Sequence, residues 1–389
     1  MNKIEQMLQE LCPEGVEYRR IGDVFVRLKG TPITAAKMKE INNPNGEIKI
    51  FAGGKTVINA NEDDIENANI MYVPSVIVQS RGVIDVIYCD QPFTFKNEMW
   101  AYTINSPITV KYLYYVLKNN IQIFRDKASI MGSLPQISLQ TTEKFEIPIP
   151  PFPIQEEIVR ILDHFTELAA ELQAELQARQ EQYEYYNNRL LSFDDDIPKM
   201  KLNDVVTFMN GKGHEKYIED QGAYIVVNSK FISTAGKVIK YSNSQISPLY
   251  KDMILMVMSD LPNGKALAKC FVVDADNKYT LNQRIGAFTI RDKNLITTRF
   301  LYYILDRNKQ LLSYDNGADQ TNLRKGDILN IIIPVPPLSE QQRIVSILDK
   351  FETLVNDLSQ GLPAEITAVQ EQYEYYRNKL LTFNRIESN

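Results

Sequence analysis

The side chains here that could do chemistry are basic and amide groups set beside glycine turns, a chemistry suited to reading nucleic acid. Parts for bond-making catalysis are scarce. There are two histidines, His164 and His214, and three cysteines, Cys12, Cys89 and Cys270, with no CxxC pair. That is too little for a Ser-His-Asp triad, a His-ligated metal or a disulfide framework, and it points to a reducing cytoplasm. GGKT (Gly53–Thr56) fails as a phosphate loop, because GxxxxGK[ST] requires Gly where Lys49 stands. The run Asp194-Asp195-Asp196 reads as a solvated linker rather than a metal site. No NPPY- or DPPY-type methyltransferase tetrapeptide occurs. The expectation is a chain with no catalytic, cofactor-binding or metal-ligating residues.

The candidates for nucleic-acid contact fall into two groups. The first is Lys29, Thr31, Lys37, Lys55, Gln79, Ser80, Arg81 and Lys96. The second is Lys212, Lys216, Asn228, Ser229, Lys230, Ser259, Asn263, Lys265, Arg284, Gln320, Asn322 and Arg324. Arg and Lys suit guanine, Asn and Gln suit adenine, and lysines hold phosphates. The plain alternative for each is solvated surface. Arg81 in QSRG and Lys265 in PNGK stand out, because turns project them. The net charge of −6 argues against nucleic acid until it is divided. Residues 1–150 carry −1, residues 151–197 carry −8, residues 198–336 carry +6 and residues 337–389 carry −3. The basic charge is concentrated in one segment, and a whole-chain value can hide a local face.

The elements that must position these residues come in duplicate. QEQYEYY occurs at Gln180–Tyr186 and again at Gln370–Tyr376, and over the 14 positions ending at Phe193 and Phe383 11 are identical. Upstream, IPIPPFPIQEEIVRILDHF (Ile147–Phe165) matches IPVPPLSEQQRIVSILDKF (Ile333–Phe351). Each copy opens with alternating Ile and Pro, which reads as a PPII-like or edge-strand exit, and then enters a helix. Ser339, with Gln342 three residues on, predicts a capping box at the second helix start. Pro153 takes the matching place in the first, where an early Pro is tolerated. Apolar residues then step by 3 and 4: Ile158, Ile161, Phe165, Leu168 and Leu172, against Ile344, Ile347, Phe351, Leu354 and Leu358. A single apolar stripe needs a partner, and the obvious one is the other copy. Tyr183, Tyr186, Tyr373 and Tyr376 fall on that seam. Tyr185 and Tyr375 face away and, with Arg189 and Lys379 a turn further on, are candidates for binding a partner. Copy two holds four extra residues around Gly361-Leu362-Pro363, which should break or kink the helix.

Weaker matches precede each helix. IGDVFVRLKG (Ile21–Gly30) lies opposite LNDVVTFMNG (Leu202–Gly211), and NEMWAYTI (Asn97–Ile104) opposite NQRIGAFTI (Asn282–Ile290). YLYYVL (Tyr112–Leu117) lies opposite FLYYIL (Phe300–Leu305), and LPQIS (Leu134–Ser138) opposite QTNLR (Gln320–Arg324). The intervening stretches are strand-like with Gly and Asn turns. The plan is an α+β domain, a long helix, an α+β domain and a long helix, divided at 1–150, 151–197, 198–336 and 337–389.

With IPxPPxxxQxxIVxILDxF and the QEQYEYYxNxLL helix end present twice, the whole chain resembles the specificity (S) subunit of type I restriction-modification systems. The resemblance implies two target-recognition domains in tandem, each reading one half of a bipartite double-stranded DNA target. It implies long conserved helices packed antiparallel as a coiled-coil spacer with pseudo-two-fold symmetry. Those helices would set the gap between half-sites and dock two methyltransferase (M) subunits, which up to two restriction (R) subunits join. S-adenosylmethionine would belong to the methyltransferase partner, and ATP and Mg to the restriction partner, with no cofactor in this chain. Adenine methylation and ATP-dependent cleavage would be activities of the complex, in the cytoplasm and without a membrane. The rival reading from the residues alone is a tandem-domain scaffold that binds proteins and has no DNA specificity.

Overall fold

A computed structural model describes residues 3–386 except 55, 132–133, 263 and 358–359. The fold is α+β and divides into two compact units: Met1–Ala174 with Ala364–Asn389, and Glu175–Pro363.

The units are built on one plan. In unit 1 a four-stranded antiparallel sheet has the order Val26–Lys29, Trp100–Thr103, Ser75–Gln79, Asp85–Cys89. In unit 2 the order is Val206–Asn210, Ile285–Ile290, Ile254–Val257, Cys270–Val272. Each unit adds a second sheet with one parallel pair, Ile48–Phe51 beside Phe93–Phe95 and Tyr224–Val227 beside Tyr279–Leu281. The Ile-Pro exits are strands in two-stranded ladders, as their Pro content dictates. Glu146–Ile149 pairs with Glu17–Arg20, and Ile332–Pro334 with Lys199–Lys201. A helix backs each four-stranded sheet. Pro107–Asn119 is capped by Ser106 and Thr298–Leu305 by Thr297, and they bury Tyr112 and Tyr115 in one unit, Phe300 and Leu301 in the other.

The repeated signature now has physical reasons. Gln155 and Gln341 hold the same place in it and are both buried. Gln155 Nε2 donates to the Pro150 carbonyl at 2.8 Å. Gln341 donates to the Pro336 and Leu295 carbonyls and accepts from Thr297 N–H. Each locks the proline-rich exit onto the helix that follows. Asp163 and Asp349 share another place. Asp163 accepts from Tyr115 Oη at 2.5 Å and pairs with Lys111 at 2.7 Å. Asp349 accepts from Tyr303 Oη at 2.6 Å and pairs with Arg299, whose guanidinium lies over Tyr302 and Tyr303. The expected capping box at Ser339 does not form: the N-cap of the helix Leu338–Asn356 is Pro337, two residues earlier, with no side-chain cap bond. Gln341 anchors the entry instead. Replacing Gln341 by Leu leaves one buried and two half-buried backbone groups without their partner and should cost about 2 kcal/mol, against about 1 for Gln155→Leu. Urea unfolding of the two variants checks the order.

The first long helix is continuous over Phe152–Leu190. The second is interrupted: Leu338–Asn356 ends, and Leu362–Leu380 begins with Pro363 in its first turn. The break falls where Gly361-Leu362-Pro363 predicts it, and Leu362 is buried rather than bulged outward. The tyrosine strings do as their spacing implies. Tyr376 stacks on Phe165 at 5.4 Å and 23° in unit 1. Tyr186 stacks on Phe351 at 5.4 Å and 25° in unit 2, where Tyr183 also meets Phe351. Tyr373 packs against the unit 1 core.

Asp306, just after Thr298–Leu305, accepts from Cys270 N–H at 2.7 Å. Burial pushes its carboxyl up to about 6. The native state therefore holds this proton between pH ~4 and ~6 while the unfolded chain has lost it, so stability falls as pH rises through that window and levels off above it. Asp306→Asn keeps the acceptor without the charge. It should abolish this slope and be roughly 1–2 kcal/mol more stable than the native protein at pH 8. Thermal melts of both across pH 4–8 test this.

Candidate nucleic-acid interface

In unit 1 the end of the strand Ser75–Gln79 meets three other segments. Ile137 N–H donates to the Ser80 carbonyl and Gly82 N–H to the Pro135 carbonyl, both at 2.9 Å, and Arg81 bridges Gln136. Gln79 Nε2 donates to the Gly54 carbonyl at 2.6 Å. Ser80 Oγ donates to the Glu98 carbonyl. These buried side chains tie the GG turn and the 96–99 turn to the strand end. The result is a groove of ≈ 790 Å³ lined by Gln79, Ser80, Arg81 and Lys96, together with Lys39, Gly53, Gly54, Glu98 and Leu134. A neighbouring hollow of ≈ 670 Å³ is lined by Arg27, Lys29, Asn69, Asn97, Glu98 and Gln136.

Four of the residues nominated from sequence thus share one groove, and Lys29 borders the next. Arg81 and Lys29 are exposed, and Lys96 pairs with Glu98 at 3.1 Å. Thr31 is fully buried, its hydroxyl bonded to Thr94 at 2.6 Å and receiving Asn69 N–H at 2.9 Å. It holds the turn and presents nothing to a ligand. Lys37 pairs with Glu40 at 2.9 Å, a bond that raises its pKa. On that helix, Ala35–Glu40, it is Lys39 that reaches the groove. Lys55 lies outside the described residues.

Unit 2 repeats the frame. Ser259 and Asp260 pair with Asn322 and Thr321, and Leu323 N–H donates to the Met258 carbonyl at 2.8 Å. Ser259 is buried and receives Gln320 Nε2 at 2.7 Å. The loop carrying Lys265 folds around Asp260, whose carboxylate accepts from Leu261, Ala266 and Leu267 N–H at 2.9, 2.7 and 3.2 Å. A Cβ at position 264 would stand on that carboxylate, so Gly is required and the exposed Lys265 is thrown outward. Lys212, Arg284, Asn322 and Arg324 are exposed, and Arg324 N–H is held by Asp327. Asn228 is a helix cap, accepting from Phe231 N–H at 2.9 Å, which accounts for its amide. Ser229 and Lys230 begin that helix, Ser229–Ser233, and Lys216 lies in the single turn Glu215–Tyr217. Asn263 is outside the described residues.

The two frames can be superposed position by position. Lys29 pairs with Trp100 and Asn210 with Gly286, each just before a glycine, Gly30 or Gly211. Thr31 bridges Lys96 in parallel, and Lys212 bridges Asn282 likewise. Hence Lys96 corresponds to Asn282, Glu98 to Arg284, Arg81 to Ser259 and Gln136 to Asn322. The register sets Lys96, and not Asn97, opposite Asn282, one residue from where the sequence match places it. Every pair is polar and every pair differs. Glu98, Gln136, Asn282 and Lys39 were missed from sequence. Gln136 was within reach, since LPQIS was already matched to QTNLR.

The helix ends show a second matched feature. Tyr185 and Tyr375 are 58% and 61% exposed. Each stands edge-on to its half-buried neighbour at 78°, Tyr185 to Tyr186 and Tyr375 to Tyr376. Arg189 donates to Tyr185 Oη at 3.3 Å, and Lys379 pairs with Glu5 at 3.0 Å. The three cysteines are free thiols. Among the described residues there is no cluster of three or more metal-ligating side chains, and no helix long and apolar enough to cross a membrane. Asp195 of the acidic run pairs with Lys199 at 2.6 Å.

Comparison with known proteins matches this chain twice to the type I restriction modification DNA specificity domain, over residues 13–181 and 195–368. It is 33% identical over 301 residues to the type I restriction enzyme EcoR124I/EcoR124II specificity subunit of Escherichia coli, covering 72% of each chain. It is 32% identical over 305 residues to a putative type I restriction enzyme specificity subunit of Haemophilus influenzae, covering 75% of this chain and 77% of the relative. Its fold is similar to the crystal structure of a type I restriction-modification system S subunit from M. genitalium, with a TM-score of 0.62 at 17% identity over 94% of this chain and 96% of that one.

Proposed function

Because the chain belongs to the family of type I restriction-modification DNA specificity subunits, we propose that each of its units reads one half of a bipartite duplex target while partner subunits perform the reaction. It is a DNA-recognition subunit and not a catalytic one, and the family membership decides against a protein-binding scaffold without DNA specificity. The observation that carries the finer reading is the twice-built frame. One backbone arrangement presents Arg81, Gln136, Lys96 and Glu98 in one unit and Ser259, Asn322, Asn282 and Arg284 in the other. A constant frame with exchanged polar side chains is what two readers of different half-sites require.

In this reading Arg81, Lys212, Lys265, Arg284, Gln320 and Asn322 face base edges. Lys29, Lys37, Lys55, Lys96, Lys216, Ser229, Lys230, Asn263 and Arg324 contact backbone phosphates. Thr31, Gln79, Ser80, Asn228 and Ser259 support the loops. The long helices set the gap between half-sites. Tyr185 with Arg189, and Tyr375 with Lys379, each dock one methyltransferase subunit, through which restriction subunits join. S-adenosylmethionine, ATP and Mg serve those partners, and the complex works on DNA in the cytoplasm.

The test is a methylome. The chain is expressed with its methyltransferase partner in a methylation-free host, and modified adenines are mapped on both strands. A single split motif that disappears without this chain is expected. A soluble, associated complex giving no chain-dependent motif would overturn the proposal. Arg81→Ala should then lower discrimination at one position of one half-site by roughly 10- to 100-fold and leave the other half unchanged.

A further inference from the structure

Glu98 is out of place in a phosphate-binding surface. Among the described residues it is the one acidic side chain lining either of the two grooves of unit 1, and it lies on the wall they share. A carboxylate there repels the DNA backbone and weakens general attraction. What it can do well is accept a hydrogen bond from a base amino group, since it offers only acceptors. At the same frame position unit 2 puts the opposite charge, Arg284. Arg284 is exposed and sits at φ 65, a left-handed conformation disfavoured for a long side chain. It is held there by Met258 N–H donating to its carbonyl at 2.9 Å. Glu98 has its own anchor, the Ser80 hydroxyl on its carbonyl. Both turns are therefore fixed from the same strand end, although only Arg284 takes the left-handed conformation.

We infer that position 98 of unit 1 is a base-reading position at which Glu98 selects a base amino group, cytosine N4 foremost, and that Arg284 at the equivalent position of unit 2 selects guanine. This rests on the reading that these grooves face DNA, and it adds that specificity in the first half depends on an acid among cations. Lys96, 3.1 Å from Glu98, then has two jobs: it neutralises the carboxylate before DNA arrives and contacts phosphate afterwards.

The experiment uses the full chain with its methyltransferase partner and compares methylomes of the native complex, Glu98→Gln, Arg284→Gln and Lys96→Met. A bipartite motif from the native complex establishes the general reading independently of this inference. With Glu98→Gln, one position in one half-site should relax, its preference falling about 10- to 100-fold, while the gap and the other half stay fixed. Arg284→Gln should relax one position of the opposite half. Lys96→Met should lower modification evenly over all sites without changing the motif. An unchanged motif in Glu98→Gln, with modification intact, would overturn the inference. So would the same relaxation in Lys96→Met as in Glu98→Gln, which would make Glu98 a support for Lys96 and not a reader.

Discussion

Alanine at both Tyr185 and Tyr375 should abolish methylation directed by this chain while leaving its fold and its DNA binding intact. The two rings are more than half exposed, and each rests edge-on against a tyrosine that is stacked on a phenylalanine within its unit. The inner rings hold the helix ends, so truncating the outer rings removes little internal packing; exposed substitutions of this sort stay within about 0.5 kcal/mol. Interface tyrosines, by contrast, contribute about 2 kcal/mol or more when they sit in a partner's pocket, some 30-fold in affinity. If each tyrosine serves its own methyltransferase subunit, the single variants separate the sites. Tyr185→Ala should lose modification on one strand, Tyr375→Ala on the other, and the double variant on both. Strand-resolved sequencing with co-purification reads this directly. Full methylation of both strands by the double variant would remove these residues from the docking surface.

Gly211→Ala should cost about 3 kcal/mol or more and erase recognition of one half-site. The reason is the close passage of two backbones. A Cβ at position 211 would coincide with the Asn282 carbonyl oxygen, and one at position 30 with the Phe95 carbonyl oxygen. Neither obstacle is a side chain that can swing away. The strand end must move, and Lys212 with its bridge to Asn282 moves with it. Gly30→Ala should do the same to the other half-site through Thr31 and Lys96. Each variant is read by its melting curve and by its methylome. A stable Gly211→Ala complex with an unaltered motif would mean that this crossing does not position the reading face.

What the sequence revealed and what it concealed divide along physical lines. The tyrosine seam, the break before Leu362 and the exposure of Arg81 and Lys265 all follow from local rules: helical period, proline in a helix, glycine turns. The paired roles of Gln155 and Gln341 were visible only as identical letters. Their meaning needed the carbonyls of Pro150 and Pro336 in space. Ser339 looked like a cap because capping boxes are read from three-residue spacing, but Pro337 starts the helix first. Glu98 was passed over because acids are discounted when a nucleic-acid face is sought. Its equivalence to Arg284 depends on strand register, which the one-residue length difference between NEMWAYTI and NQRIGAFTI obscures.

Unit 1 has a birth order problem. It is completed by Ala364–Asn389, and in it Val16 N–H is bound by the Asn384 carbonyl while Leu380 and Leu381 enter the same core as Ile158 and Leu162. During synthesis all of Glu175–Pro363 must leave the ribosome before those residues arrive. At 5–20 residues per second that is a delay of roughly 10–40 s. Throughout it, the nascent first half carries an open apolar seat around Phe165, a surface for chaperones until the last helix arrives.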